Sequence, residues 1–264
     1  MAHPVVTLTT DFGLRDPYVA EMKGVVLSIA PKATIVDVTH DVEKFNIRKG
    51  TFALASAVPY FPVGAIHVAV VDPSVGTERR PLLIQTKRGF LVGPDNGILS
   101  LAARNQGVEH AFEITNPRLV LPEPSNTFHG RDIFAPVAAH LANGTKPTDF
   151  GKEIHRITKP KFATIIKKEN MLIGEVLYID SYGNVVTNFT RAELESLNIG
   201  TGIRLKLGTE KITLPLCKTY AEAEKAKPVA ILGSHSFLEI SMNQGNAAKH
   251  FKIGEDDRLA ICQS

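Results

Sequence analysis

VVTLTTDFGLRDPYVAEMKGVVLSIAPKATIVDV, residues 5–38, is the stretch that decides the fold class. It begins with apolar and β-branched residues, which predict a β-strand that ends in a turn at residues 11–13. Apolar residues then recur at helical spacing over residues 19–29, and residues 34–38 form a second short apolar run. A strand, a turn, a helix and a strand in this order favour an α/β domain with a mostly parallel sheet.

The alternation of strands and helices continues to about residue 150. Two short apolar runs around the turn at 87–89 predict a pair of strands, and a proline-rich stretch at 115–127 predicts an exposed loop. The predicted elements are a helix at 48–58, strands at 66–71, 82–86 and 90–92, and helices at 98–103 and from about Asp132.

The sequence changes in character after Gly151. Residues 156–168 are basic and weakly periodic, and we interpret them as a linker between an N-terminal α/β domain at 1–155 and a smaller domain at 169–264. The second domain has many short strand-like runs between glycine and proline turns, which predict a β-barrel-like fold. Its predicted strands lie at 172–179, 185–188, 203–207, 212–214, 229–232 and 237–241, and a capping box at 190–193 predicts one short helix.

The composition argues against several classes of partner. The net charge is only +3 and long basic runs are lacking, so nucleic-acid binding is not expected. No apolar run approaches the roughly 18 residues of a membrane span, and the N-terminus lacks a secretory signal pattern. The two cysteines, Cys217 and Cys262, show neither metal-ligand spacing nor a disulfide framework, which favours a reducing, cytoplasmic setting.

Common cofactor motifs are missing from the sequence. It has no G-x-G-x-x-G after the first strand, no G-x-x-x-x-G-K-[ST], no H-E-x-x-H and no G-x-S-x-G. The nine histidines are scattered along the chain. We therefore expect neither a cofactor nor a metal ion, while a metal site assembled from distant residues stays open.

Carboxylates follow the predicted strands of the first domain. Asp11 and Asp16 flank the first turn, Asp72 ends the third strand, and an Asp-Asn-Gly turn at 95–97 follows a later one. Ligands of open α/β sheets bind beyond the carboxyl ends of the strands, so these residues are candidates for a site. Each also has a purely structural interpretation, in which the carboxylate bonds to its own turn or, for Asp16, caps the next helix.

Further polar clusters lie in loops. Residues 126–132 place His129 beside a glycine at the entrance of a helix, where it could reach a ligand or be an ordinary loop residue. Residues 180–184 could bind a ligand or simply form a hairpin turn. Residues 234–236 and 243–246 are similar polar runs in the second domain.

These clusters, in this order, resemble one enzyme family. The matching stretches are TLTTDFGLRDPYVAEMKG, VDPSVGTERR, GPDNG, NTFHGRD, DSYGNVVTN and SMNQGNAA, which span nearly the whole chain. They are similar to the S-adenosyl-L-methionine (SAM) hydroxide adenosyltransferase family, relatives of fluorinating and chlorinating enzymes that act on the same substrate. The resemblance implies an α/β domain, a β-barrel-like domain, and a homotrimer whose sites lie where the first domain of one subunit meets the second domain of its neighbour.

The resemblance also implies roles for individual residues. Asp72, Arg79 and His129 match a water-activating set, and Asp11 matches a carboxylate that holds the ribose hydroxyls. The remaining matches are Asp16 near the methionine, Phe45 beside the ribose, Asp180, Tyr182 and Asn184 at the adenine, and Ser234 at the methionine. Halogenating relatives carry a tyrosine and a serine at the positions of His129 and Gly130, which favours water as the nucleophile here.

The implied reaction is attack of water on the 5′ carbon of SAM, which releases adenosine and L-methionine without a cofactor. Arg79 stays protonated, so Asp72 or His129 would take the proton, and the sequence leaves this choice open. The alternatives are a halide-dependent enzyme on the same substrate, a non-catalytic module that binds SAM or adenosine, and a metal-dependent hydrolase that uses Asp11, Asp72 and His129.

Overall fold

The computed structural model describes residues 3–197, 199, 202–207, 210–255 and 257–262. The chain forms two compact units, Met1–Pro160 and Lys161–Ser264. None of the helices within the described ranges combines the length and the apolar character needed to cross a bilayer. The domain boundaries proposed from sequence, with a linker at 156–168, stay predictions; within that stretch residues 161–163 form a 3₁₀ turn and residues 166–168 a short strand.

A mixed sheet with a parallel half forms the centre of the first unit. Its strands follow the order β2-β1-β3-β5-β4-β6, and the pairs β2–β1, β1–β3 and β3–β5 are parallel whereas β4 is antiparallel to both neighbours. β3 is buried along its whole length, as expected for a central strand covered on both faces. The strands are β1 (Val5–Thr10), β2 (Thr34–Thr39), β3 (Ala65–Val70), β4 (Pro81–Thr86), β5 (Gly89–Pro94) and β6 (Val108–Glu113).

Helices cover this sheet. They are α1 (Tyr18–Ile29), α2 (Ile47–Ala57), α3 (Ser100–Gln106) and α4 (Ala135–Ala142). α1 and α4 pack against each other, and Met22, Val26, Val137 and Leu141 from these helices join one core with strand residues such as Leu8. Burial of these side chains contributes about 1.5–3 kcal/mol each to the free energy of unfolding.

The second unit is a β-barrel. Seven of its described strands close into a ring in the order β14-β10-β11-β12-β13-β9-β8, because β14 pairs with both β10 and β8. Two short helices, α5 (Arg191–Glu195) and α6 (Ala247–Phe251), flank the barrel strands. The strands are β7 (Ile166–Lys168), β8 (Met171–Ile179), β9 (Val185–Thr190), β10 (Gly202–Leu207), β11 (Glu210–Cys217), β12 (Pro228–Leu232), β13 (Phe237–Met242) and β14 (Arg258–Cys262).

The predicted fold class is confirmed, and the differences are local. β6 was not predicted because its sequence, VEHAFE, carries charged residues, which are common on an edge strand. The capping box is confirmed, since Glu193 Oε2 accepts a hydrogen bond from the backbone N–H of Thr190 at 2.8 Å. The alternative in which Asp16 caps α1 is wrong, because Pro17 occupies the cap position and no side chain in the described part of the chain makes a capping hydrogen bond there.

Candidate active site

The carboxyl ends of adjacent parallel strands bring two predicted carboxylates to one edge of the sheet. Asp11 directly follows β1, and Asp72 lies two residues beyond the end of the neighbouring strand β3. Both side chains line one cavity of about 350 Å³. The strand order therefore places Asp11 and Asp72 in one site, as expected for ligand sites in open α/β sheets.

Asp72 and Arg79 form a buried ion pair. Arg79 Nε donates to Asp72 Oδ2 at 2.8 Å, and Arg79 Nη2 donates to the same oxygen. The side chains of Arg79 and Asp72 are only 7% and 4% exposed. Ser74 Oγ donates to the other oxygen, Asp72 Oδ1, at 3.2 Å. The carboxylate is thus held from both sides, and its orientation is fixed by charge-assisted hydrogen bonds.

His129 joins this pair from a segment 50 residues further along the chain. Arg79 Nη2 lies 2.7 Å from His129 Nδ1. A guanidinium has only donors, so Nδ1 accepts, and the neutral ring carries its proton on Nε2. Burial, reinforced by the positive charge of Arg79, lowers the pKa of His129, while Asp72 and Asp132 oppose this shift. The geometry therefore favours a neutral histidine that offers an N–H to the cavity.

An unusual helical segment directly follows His129. Residues Gly130–Phe134 form a π-helical turn, a rare conformation that is often found at functional sites. The buried carboxylate of Asp132 fixes the turn, because it accepts from Ser125 N at 2.8 Å and from Arg131 Nε at 2.6 Å. Gly130 packs closely here, since a Cβ at this position would lie 3.3 Å from three neighbouring side chains.

Asp11 is oriented by the backbone of Phe45. The Phe45 N–H donates to Asp11 Oδ2 at 2.8 Å. Phe45 adopts a left-handed backbone with φ of +65°, which is unfavourable for a residue with a side chain, and its ring is 68% exposed. This strained residue leaves the second oxygen of Asp11 available to a ligand and places an aromatic ring at the wall of the cavity.

Aromatic residues that the sequence did not single out complete the cavity. Phe12, Tyr18 and Phe128 form an edge-to-face cluster with ring centroids 5.2–6.0 Å apart. Phe12 and Phe128 stand directly beside the predicted residues Asp11 and His129, and this adjacency is the signal that could have found them. The complete lining is Asp11, Phe12, Tyr18, Lys44, Phe45, Val70, Asp72, Val75, Thr127, Phe128, His129 and Gly130.

Asp16 and the predicted turn at 95–97 lie outside this cavity. Asp16 is exposed and does not belong to the residues that line this cavity. The turn at 95–97 also lies outside the lining, with Asn96 Nδ2 donating to the Val71 carbonyl at 2.8 Å and Asp95 Oδ2 accepting from Arg80 Nε at 3.0 Å. The structure thus brings together Asp11, Asp72, Arg79 and His129, and it leaves Asp16 at the surface.

The predicted residues of the barrel lie on two of its loops. Asp180 accepts from the backbone N–H groups of Tyr182 and Asn184, both at 2.9 Å, and from Asn184 Nδ2 at 2.8 Å. These bonds close the hairpin turn and fix the Asn184 amide, while the ring of Tyr182 is 78% exposed. Ser234 is exposed on the connection between β12 and β13.

This arrangement suits activation of a small polar nucleophile. Asp72 can accept a proton, His129 can donate from Nε2, and Arg79 Nη1 is buried and makes no hydrogen bond within the described part of the chain. Among the described residues, no group of three or more His, Cys, Asp and Glu side chains is placed to hold a metal ion. The aromatic rings and the two valines of the lining offer apolar surface to the body of a ligand.

Known proteins and solved structures are similar to this chain over nearly its whole length. An (R)-S-adenosyl-L-methionine hydrolase from Methanocaldococcus jannaschii is 39% identical and covers 97% of this chain and 95% of the relative. A fluorinase from Actinoplanes sp. is 30% identical, with 95% of each chain covered. The crystal structure of an uncharacterized conserved protein from Thermotoga maritima superposes with a TM-score of 0.83 at 36% identity, covering 98% of this chain and 99% of that one.

Family models match both units separately. The SAM hydroxide adenosyltransferase N-terminal domain matches residues 6–151, and the C-terminal domain of the same family matches residues 174–260. The first match contains the cavity and all three members of the Asp72, Arg79 and His129 network. The chain belongs to the SAM hydroxide adenosyltransferase family.

Proposed function

We propose that this protein hydrolyses SAM to adenosine and L-methionine by attack of water on the 5′ carbon. The observation that carries the proposal is the hydrogen-bonded network of Asp72, Arg79 and His129 at a cavity that is also lined by four aromatic side chains. Relatives named (R)-S-adenosyl-L-methionine hydrolase at 37–39% identity support the choice of substrate and reaction.

The chemistry requires a better nucleophile but no general acid. The water oxygen forms a bond to the 5′ carbon while the carbon–sulfur bond breaks and its electron pair returns to sulfur. The sulfonium becomes a neutral thioether, so methionine leaves without protonation. One proton of the attacking water must be removed, and a site with few competing water molecules strengthens the attraction between a hydroxide-like oxygen and the sulfonium.

The proton goes to Asp72 in our proposal. His129 accepts from Arg79 through Nδ1 and already carries a proton on Nε2, so it acts as a donor that orients the water. Arg79 cannot take a proton, and its role is to align Asp72 and His129. The choice left open by the sequence, between Asp72 and His129, is thereby assigned to Asp72.

Substrate contacts follow the family resemblance. Asp11, with one oxygen held by Phe45, would bind the ribose hydroxyls, and the Phe45 ring would cover the sugar. Asp16 would contact the methionine portion. We further propose a homotrimer in the cytoplasm, in which Asp180, Tyr182, Asn184 and Ser234 of a neighbouring subunit complete the site. The exposed ring of Tyr182 and the two free cysteines are consistent with this assembly and setting.

Water is preferred over halide because of the packing around Gly130. Halogenating relatives carry a serine at this position, whereas a Cβ on Gly130 would lie 3.3 Å from Met22 Sδ, Phe12 Cε2 and Phe128 Cε2. These three neighbours would have to shift by a few tenths of an ångström to accept a Cβ at this position. A site for halide that depends on this hydroxyl is therefore incomplete here.

Isotope incorporation tests the proposed reaction. The protein is incubated with SAM in ¹⁸O-water, and we expect one heavy oxygen in the 5′ hydroxyl of the released adenosine, with activity that resists chelators. Binding of SAM by calorimetry without turnover would identify a non-catalytic module. Chloride-dependent formation of 5′-chloro-5′-deoxyadenosine would identify a halide enzyme, and loss of activity with chelator would identify a metal-dependent hydrolase.

Subunit complementation tests the shared site. Asp72→Asn and Tyr182→Ala variants are each expected to be weakly active, since one lacks the proton acceptor and the other the proposed adenine contact. Refolding or exchanging the two together produces mixed trimers in which some sites carry neither substitution. The assembly is supported if the mixture recovers activity and light scattering gives the mass of a trimer. A mixture whose activity is only the sum of the residual activities of the two variants would contradict it.

A further inference from the structure

We infer that the turn formed by Asp95, Asn96 and Gly97 is a positioning device for the Asp72–Arg79 pair. The turn binds the backbone immediately before Asp72 and immediately after Arg79, and so sets the distance between the two functional side chains. The inference rests on the proposed function of that pair.

Asn96 fixes the entrance of the loop that carries the pair. Its Nδ2 donates to the carbonyl oxygen of Val71 at 2.8 Å, and its Oδ1 accepts from the backbone N–H of Ile98 at 3.1 Å. Val71 is fully buried and directly precedes Asp72. Its side chain also packs closely on Gly50, where an added Cβ would lie 2.9 Å from Val71 Cγ2. The peptide group that leads into Asp72 is therefore held by both a side chain and the packing of α2.

Asp95 fixes the exit of the same loop. Its backbone N–H donates to the carbonyl of Arg80 at 2.9 Å, and its Oδ2 accepts from Arg80 Nε at 3.0 Å. Its other oxygen, Oδ1, accepts from the backbone N–H of Thr158 at 2.7 Å. The Asp95 side chain is only 6% exposed, so these are shielded, charge-assisted bonds. Arg80 directly follows Arg79, and both its backbone and its side chain are thus tied to Asp95.

The segment between the two attachments is held by local turn bonds and by close packing of Gly76 on the backbone of Asn126, whose carbonyl oxygen would lie 2.4 Å from an added Cβ. Val75 N donates to the carbonyl of Asp72 and Thr77 N to that of Ser74, both at 3.2 Å, and residues 76–78 are exposed. Arg79 must present Nε and Nη2 to Asp72 while it also reaches His129. A shift of about 1 Å in such an arrangement can cost on the order of 100-fold in rate. Fixing both ends of the loop is the direct way to prevent that shift.

A second asparagine with the same bonds provides a matched control. Asn116 Nδ2 donates to the carbonyl of Asp149 at 2.8 Å, and its Oδ1 accepts from Arg118 N at 3.0 Å. Asn96 and Asn116 therefore perform the same local task, but only Asn96 holds the residue next to Asp72. Replacement by aspartate keeps the size and the Oδ1 acceptor in both cases, and it turns the Nδ2 donor into an oxygen that faces a carbonyl.

The experiment compares Asn96→Asp with Asn116→Asp in SAM turnover and thermal unfolding. We expect both variants to lose some thermal stability. We expect kcat to fall about 10- to 100-fold in Asn96→Asp with KM within about threefold of wild type, because substrate contacts at Asp11 are untouched while the alignment of the pair is lost. Asn116→Asp should keep both constants near wild type.

The outcomes separate this inference from the proposed function. If the wild-type protein releases no adenosine, the proposed function fails. If the wild type is active and Asn96→Asp retains the kcat of Asn116→Asp, the turn is merely structural and the inference is overturned. Should Asn96→Asp not fold, Asp95→Asn cuts the ion pair to Arg80 at the other end of the loop. A wild-type kcat in that variant would overturn the inference equally.

Discussion

A buried and a half-buried histidine of the first unit differ in their surroundings, and the comparison shows what sets a candidate functional residue apart. His67 lies in the middle of β3, where Thr7 Oγ1 of the neighbouring strand is 2.8 Å from Nδ1 and the Phe61 ring packs edge-on. His129 lies at the sheet edge, where Arg79 donates to Nδ1 and the ring lines a cavity. Burial lowers the pKa of both, for His67 to about 4.

A lowered pKa alone therefore does not identify a site. For His67 burial is the cause, and the consequence is a neutral ring inside the sheet. For His129 burial and a cation act together, and that cation also binds the carboxylate of Asp72. The ion pair, the cavity and the shared hydrogen-bond network distinguish a candidate functional histidine from one that only packs inside the sheet. The predictions below test this distinction, in order of decreasing expected effect.

The largest effect is expected from Asp72→Asn. Loss of the proton acceptor should lower kcat on the order of 10³-fold, with a smaller change in KM, because the substituted side chain keeps its shape. The measurement is steady-state adenosine release, with circular dichroism to verify the fold. Asp41→Asn, at an exposed carboxylate in the same unit, should retain wild-type kinetics. A kcat within threefold of wild type for Asp72→Asn would falsify the assignment.

The second-largest effect is the pH dependence of the free energy of unfolding that protonation of His67 causes. An unfolded chain takes up this proton near pH 6.5, whereas the folded chain does so only near pH 4. Protonation of His67 therefore leaves the free energy of unfolding unaffected above pH 6.5. As the pH falls from 6.5 to about 4, the free energy of unfolding decreases by about 3 kcal/mol in total, because only the unfolded chain takes up the proton. Urea unfolding at several pH values measures it. His67→Gln should show a shallower decline across this window, and an unchanged slope would contradict the assignment.

A smaller effect is expected at His129, and here it is kinetic. The folded protein favours the neutral ring, so kcat/KM should fall at acidic pH with a midpoint below 6.5, because an imidazolium cannot accept from Arg79. His129→Gln keeps a donor at the position of Nε2, and its kcat should fall about 10-fold. The part of the acidic decline in kcat/KM that is due to His129 should disappear in this variant. If His129 were the base, this variant would be as inactive as Asp72→Asn.

The smallest effect is expected from Thr7→Val. It removes the partner of His67 without changing the side-chain shape, and it should lower the free energy of unfolding by about 1 kcal/mol. Adenosine release should be unchanged, since Thr7 lies within β1 and does not line the cavity. A large loss of kcat in this variant would show that the interior of the sheet and its edge are coupled, and the comparison of the two histidines would no longer hold.

Much of the fold followed from local patterns, and the exceptions have physical reasons. The β4–β5 pair, the parallel start of the sheet and most barrel strands were predicted from periodicity and turn residues. β6 and β14 escaped prediction because β6 is a charged edge strand and β14 is a short terminal strand whose place is set by its partners. Asp16 fitted a helix cap by sequence, but the helix begins two residues later.

The site was predictable only in part. Asp11 and Asp72 stand at strand ends, where their position follows from the sheet topology. The partners of Asp95 and Asn96 could not be read from sequence, since their bonds run to Arg80 and Val71 on other segments. The aromatic lining was also missed, because Phe12 and Phe128 approach each other only after the first turn and the loop before α4 are folded.

The sequence by itself determined most of the segments that become strands and helices and which polar residues stand at their ends, because these depend largely on interactions between near neighbours in the chain. Only the tertiary structure decided that Arg79 donates to both Asp72 and His129, so that the neutral His129 ring accepts through Nδ1. The protonation state of a side chain is set by the charges and the burial around it, and those arise from residues that are far apart in sequence.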